Sequence, residues 1–172
     1  MGFVERCIRW FGSSKTGHGI DLFCVRYFYF SPIIYVFTRS EKAGYNKPGI
    51  FKTYGRKTGA LRQVVLPTFP HSDGGSMLIV GSRGGTPIDP HWAKNLKARP
   101  AALVEMRGET FAADVSLLEG EERAREFERL CELSPVYARY QQAAKKYREL
   151  PVFRVVRSEG RVLSQCGGRD CA

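Results

Sequence analysis

Residues 49–69 read GIFKTYGRKTGALRQVVLPTF, and the fold turns on them. Gly49–Tyr54 and Leu61–Phe69 are rich in apolar and β-branched residues, and Gly55 and Gly59 bracket a polar turn between them. Two such runs joined by a Gly-bounded turn predict a strand pair. Met77–Ser82, Ala101–Met106, Thr110–Leu118 and Val152–Val156 follow the same pattern, with Asp73-Gly74-Gly75 and Arg107-Gly108 as tight-turn signals. Six short strands with few helices predict an α+β chain, mainly β, forming a six-stranded and mostly antiparallel barrel.

Three helices punctuate the strands. The first is expected to start at Asp89-Pro90 and to end before Pro100. The second, Glu121 to Leu133, carries Ala124, Phe127 and Leu130 on one face. The third starts at Ser134-Pro135, and Tyr137, Tyr140, Ala144 and Tyr147 recur on it at helical spacing, which predicts a phenolic face.

A chain of 172 residues is the size of one domain. Folding at this size buries roughly 70% of the unfolded surface, enough for a core without disulfide or metal staples. With 43% apolar and 26% charged residues, disordered, collagen-like and coiled-coil chains are excluded. Cys7, Cys24, Cys131, Cys166 and Cys171 are odd in number and fit no C-x-x-C or C-x-x-H pattern, so no zinc site or disulfide framework is expected. Only Cys166 and Cys171 could pair locally. No secretory signal is visible, and a cytoplasmic location is expected.

Charge is uneven. Residues 1–62 hold 11 Lys and Arg against 3 Asp and Glu, and 13 of the 21 aromatics. This front third is suited to an anionic partner: phosphate, polycarboxylate or lipid headgroups. Leu22–Phe37, LFCVRYFYFSPIIYVF, is too short for a bilayer span and is interrupted by Arg26 and Pro32. Either it is a helix packed on the domain and ending near Ser31-Pro32, or it lies on a membrane surface beside Arg6, Arg9, Lys15, Arg39, Lys42 and Lys47. The expected divisions are a basic aromatic segment (1–48), the barrel (49–157) and a polar tail (158–172).

Chemistry concentrates in two loops. Gly55-Arg56-Lys57-Thr58-Gly59 with Arg62 is either an anion cradle or an ordinary solvated turn. It is not a P-loop, which excludes that route to nucleotide triphosphates. Gly81-Ser82-Arg83-Gly84-Gly85 ends a strand and lets a flat ligand approach the backbone. Trp92, with Asn95 and Leu96 on the same helix face, is either core or a ligand platform. His18, His71 and His91 are scattered, and no hydrolase motif emerges. A basic, Gly-lined site with few acids or bases suits a bound anionic redox cofactor, which carries the hard chemistry while the protein positions it.

Gly55-Arg56-Lys57-Thr58-Gly59 with Arg62, Ser82-Arg83-Gly84-Gly85, Pro90-x-Trp92-x-x-Asn95-Leu96-x-Ala98-x-Pro100, Tyr137 with Tyr140, and Pro151-Val152-Phe153 together resemble the deazaflavin-dependent nitroreductase family, actinobacterial reductases of quinones and nitro compounds. The resemblance runs from about Lys52 to Val156. It implies a split β-barrel, similar to flavin-reductase barrels, that binds coenzyme F420, whose tail carries a phosphodiester and glutamates. It also implies roles. Arg56, Lys57 and Arg62, with Thr58 and Gly59, would hold the tail. Ser82, Arg83 and Gly84 would line the ring, Trp92 and Asn95 would shape its pocket, and Tyr137 and Tyr140 would face the substrate.

The implied reaction is hydride transfer from reduced F420 to a menaquinone-like quinone or a nitroaromatic, with a hydroxyl such as Ser82 or Tyr140 protonating the oxyanion. A lipid quinone would make peripheral contact with the inner face of the membrane useful. Four positions depart from the family pattern: Arg83 replaces a Lys, Ser134 a Tyr, Val65 a Pro, and His91 an apolar residue. An FMN- or haem-binding split barrel, and a non-catalytic basic module for membrane or nucleic acid, are the alternatives; under the reductase reading nucleic acid is not a partner.

Overall fold

A computed structural model describes residues 14–40 and 47–158. Among the described residues seven strands form one antiparallel sheet: β1 (Pro48–Tyr54), β2 (Leu61–Pro67), β3 (Phe69–Pro70), β4 (Met77–Val80), β5 (Ala101–Met106), β6 (Glu109–Leu117) and β7 (Val152–Arg157). They lie in the order β2-β1-β5-β6-β7-β4-β3. The edge strands β2 and β3 are therefore separated in sequence by Thr68 alone. Laid flat, seven strands at about 4.8 Å spacing would hold the edges roughly 29 Å apart, whereas the link through one residue spans about 7 Å. The sheet must curl until its edges meet, which makes it a split barrel.

Seven strands replace the expected six because the run Leu61–Phe69 breaks at Thr68. Pro67 pairs with Pro48 at the end of the β1–β2 ladder, where neither proline has an N–H to extend it. Thr68 then turns its N–H and its Oγ1 to the Lys47 carbonyl, at 3.0 and 2.9 Å. Arg107-Gly108 forms the predicted tight hairpin: Met106 pairs with Glu109, and both turn residues have positive φ, 50° and 81°, as a type I′ turn requires. Asp73-Gly74-Gly75 lies instead in the longer loop 71–76. There the Asp73 carboxylate accepts from the amides of Gly75 and Ser76 at 3.0 and 2.9 Å.

Strand β4 and the first half of β7 are buried on both faces. Leu78, Val80 and Val152 pack under the later helices with Leu130 and Val136, while Ile79, Phe153 and Val155 point into the barrel with Phe51, Leu96 and Val104. The period-two alternation divides the core in two, and each fully buried side chain contributes roughly 1.5–3 kcal/mol.

The α-helices of the described residues are α1 (Lys15–Phe28), α2 (Pro32–Ser40), α3 (His91–Ala98), α4 (Gly120–Leu133) and α5 (Val136–Ala144). Helix α3 starts one residue after Pro90, which caps it without a side-chain bond. Asp89, the expected cap, is instead ion-paired to Arg148 and Lys97. Helix α5 stops before Tyr147, which is 60% exposed, so the expected phenolic face reduces to Tyr137 and Tyr140.

Leu22–Phe37 spans the end of α1 and the start of α2, and the helix end expected near Ser31-Pro32 falls at Phe28. Helix α1 stops at Phe28 because Tyr29 takes a left-handed φ of 56°. Ser31 then caps α2: its Oγ accepts from Ile34 N at 3.0 Å and donates to the buried Asp21 carboxylate at 2.8 Å. Burial raises Asp21 above the usual carboxylate range, against the Ser31 bond. Gly17, Asp21 and Val25, four residues apart, are the buried face of α1. Arg26 holds that helix to the sheet through Glu105 at 2.6 Å, and Lys52 joins at 3.1 Å. The Arg26 bond, opposed by partial burial, keeps the Glu105 carboxyl below its ordinary range.

The outer face of α1 remains in solvent. Ile20, Phe23, Tyr27 and Phe28 are exposed, and the Phe23 and Tyr27 rings lie 4.8 Å apart. Among the described residues no helix is long and apolar enough to cross a membrane. Arg6, Arg9, Lys42, Cys7, Cys166, Cys171 and the tail beyond Ser158 lie outside the described residues, as do the side chains of Lys15 and Arg39.

Candidate functional site

Two clefts open beside the barrel and share Trp92. The first, about 530 Å³, is lined by Arg56, Lys57, Thr58, Arg62, His91 and Asn95 among others. Its rim is the loop joining β1 to β2. Gly55 N–H donates to Ala60 O at 2.9 Å and Gly59 N–H to Gly55 O at 2.7 Å, and Gly59 has φ 68°. A left-handed residue there favours glycine. The tight turn leaves Arg56, Lys57 and Thr58 exposed on its outside.

Asn95 anchors this loop. It is 4% exposed, accepts from Arg56 N and Arg56 Nη1 at 3.2 and 3.3 Å, and donates to Thr53 Oγ1 at 3.4 Å. Its amide is thus committed to the cationic turn, not to the second cleft. The buried Thr53 escapes a reading of the sequence because nothing local marks it as a partner of Asn95 forty-two residues away.

The second cleft, about 520 Å³, is apolar on one side and bounded by the Ser82–Gly84 loop on the other. Tyr137 and Tyr140 line it from α5, and Val65 lines it from β2. Ile33 and Ile34 also line it from α2. These two are residues that sequence reasoning did not single out, since their helix precedes the barrel. Tyr137 packs edge-on to Phe69 at 5.4 Å and to Tyr140 at 6.0 Å. Burial, and secondarily Tyr140, push the Tyr137 phenol well above its ordinary range. It stays protonated at neutral pH and can only donate or accept as a neutral phenol.

The loop itself is held in an uncommon shape. Arg83, Gly84 and Gly85 have successive φ values of 45°, 65° and 76°. Arg83 is a non-glycine in the left-handed region, where strain of about 1–3 kcal/mol persists only if the surroundings hold it. The structure therefore groups Arg56, Lys57, Thr58, Arg62 and Asn95 around one cleft and Ser82, Arg83, Gly84, Tyr137 and Tyr140 around the other, with Trp92 in both. Gly59 shapes the turn without lining either cleft. Of the four departures named above, Val65, Arg83 and Ser134 line the apolar cleft and His91 the cationic one.

A curled antiparallel sheet with this pair of clefts belongs to the flavin-reductase-like split barrels. The family model for F420H(2)-dependent quinone reductase matches residues 36–157, and the chain belongs to that family. A solved F420-H2 dependent reductase, FDR-A, is similar at 35% identity with a TM-score of 0.55, over 63% of this chain and 92% of that one. A second structure, described as a domain-swapped dimer, matches at 31% identity and TM-score 0.55, over 73% of this chain and 99% of the other. The protein is accordingly an oxidoreductase whose coenzyme is reduced F420. The donor set suits that group: three cations beside a glycine turn for an anionic tail, next to an apolar slot walled by aromatics.

Proposed function

We propose that this chain passes a hydride from reduced F420 to a quinone, with nitroaromatics as a second acceptor class. The observation that carries the proposal is the meeting of a cationic and an apolar cleft at Trp92. In this reading Arg56, Lys57 and Arg62, helped by Thr58 and the Gly59 turn, hold the phosphodiester and glutamates by charge-assisted hydrogen bonds. Ser82, Arg83 and Gly84 flank the ring. Bound reduced F420 supplies the hydride. Tyr137 and Tyr140 bound the acceptor, and a neutral hydroxyl of Ser82 or Tyr140 gives a proton to the developing oxyanion.

Three of the four family departures line the apolar cleft, so the acceptor is where this chain should differ from its relatives. The test is fluorescence titration with F420, and with FMN at the same ionic strength, followed by oxidation of reduced F420 by a quinone and by a nitroaromatic. Saturable F420 binding without FMN binding, and faster turnover with the quinone, are expected. No F420 binding would return the reading to an FMN- or haem-binding barrel.

The N-terminal helices extend the proposal to an anionic membrane surface. The exposed aromatic face of α1 lies a few residues before Ile33 and Ile34, which wall the apolar cleft, and an exposed aromatic face of this kind suits contact with the lipid surface that holds a lipid-soluble quinone. Sedimentation with vesicles containing anionic phospholipid should pellet the protein, and Phe23→Ser with Tyr27→Ser should leave it in the supernatant. Equal recovery of the wild type with and without vesicles would end this extension.

A further inference from the structure

We infer that Arg148 is the positioning residue of this site, holding the Ser82–Gly85 loop in the shape the coenzyme ring requires. The inference rests on the reading that Ser82–Gly84 flank that ring. Arg148 lies just past α5, outside both clefts, and its side chain is nearly buried. Its guanidinium grips one loop from behind. Nη1 donates to Gly81 O at 3.0 Å, Nη2 to Ser82 O at 2.9 Å, and Nε to Thr86 O at 3.0 Å. Nη1 also meets Asp89 Oδ1 at 2.8 Å, directly before Pro90 and the helix that carries Trp92 and Asn95.

These contacts explain a strained loop that local sequence would not stabilise. Three carbonyls converge on one planar fork, and Ser82 O additionally accepts from Gly85 N at 2.9 Å. With those carbonyls pinned, the left-handed run Arg83–Gly84–Gly85 has its ends fixed on either side. A guanidinium has five donors in fixed geometry, whereas an ammonium has three and acts as a point charge, so Lys cannot reproduce the grip. The grip has an electrostatic cost. Arg148 is desolvated and repelled by Arg83, with Asp89 as the compensating charge, and Lys97 shares that carboxylate. A cation kept there despite desolvation and a like charge is serving the loop.

A displacement of about 1 Å at a reacting centre costs about 10²-fold. Arg148→Ala should therefore lower kcat/KM with reduced F420 by about ten- to 100-fold, mainly in kcat, because the cations holding the tail are untouched. In the coenzyme-free protein, hydrogen exchange of a peptide spanning residues 81–90 should speed up while peptides from β5 and β6 keep wild-type rates. Guanidinium chloride at non-denaturing concentration should restore part of the activity of Arg148→Ala, and NaCl or urea should not. Arg148→Lys should fold and remain impaired.

Wild-type exchange at residues 81–90 in Arg148→Ala, or full activity in Arg148→Lys, would overturn the inference. If Arg148→Ala does not fold, Arg148→Lys alone decides by the same exchange and kcat readings. Failure of the wild type to bind F420 would instead remove the underlying coenzyme reading, and the exchange measurement would still report whether Arg148 holds the loop.

Discussion

Replacing Arg56 and Lys57 together by Ala should raise the dissociation constant for F420 by about 10²- to 10³-fold and lower the melting temperature by no more than about 4 °C, since Asn95 loses the bond from Arg56 Nη1 but keeps the one from Arg56 N. Each charge-assisted hydrogen bond contributes about 1.5–3 kcal/mol, and an exposed turn sits at the lower end, so the pair is worth about 3–4 kcal/mol. Both residues are exposed on the outside of their turn, so their removal opens no cavity. Fluorescence titration of wild type and variant over a range of salt concentrations is the check. The wild-type affinity should fall with ionic strength more steeply than the variant's, because two of its contacts are screened. Unchanged affinity in the double variant would show that the turn is an ordinary hairpin connection and that the anionic tail lies elsewhere.

Gly85→Ala should destabilise the fold by about 2–5 kcal/mol, from the left-handed backbone and from overpacking against α5. At a φ of 76°, a Cβ on Gly85 would stand 2.8 Å from Tyr140 O, 3.0 Å from Ala143 Cβ and 3.1 Å from Tyr140 Cα. Two of those three atoms are backbone and cannot swing aside. For a chain of this size such a loss lowers the melting temperature by roughly 5–15 °C. Gly84→Ala is the control: its φ of 65° carries similar backbone strain, but nothing lies within 4 Å of the added Cβ. Thermal unfolding of both variants separates steric clash from strain. Equal melting temperatures would mean that α5 does not press on the loop as described.

The β5–β6 hairpin was legible because Arg107-Gly108 needs only local backbone physics: two positive-φ residues between alternating strands. The apolar runs of β1, β4 and β7 were legible for the same reason, since burial on a pleated strand imprints a period on the chain. The break at Thr68 was not, because it depends on a carbonyl at Lys47, twenty-one residues earlier. The end of α1 at Phe28 was also hidden. Tyr29 is an unlikely left-handed residue by type, and only Ser31 bonding to Asp21 across the helix junction shows why the chain turns there.

For the site, the Gly-bounded cations and the Ser82–Gly85 loop stood out because glycine and charge are marks carried by residue type. Their grouping into two clefts around Trp92 came only with the structure, as did Asn95 serving the cationic turn rather than the apolar cleft. Arg148 was invisible among 27 basic residues, since its role is defined by three carbonyls more than sixty residues away.

By itself the sequence determined the strand-rich class of the chain, the placement of its basic charge, and the two glycine-rich candidate loops, because periodicity, glycine and net charge act over a few neighbouring residues. Closure of the sheet through Thr68, the two-sided character of α1, and the grip of Arg148 on the Ser82–Gly85 loop were decided only by tertiary structure. Each rests on contacts between residues far apart in the chain, and such contacts leave no mark on the local pattern of either partner.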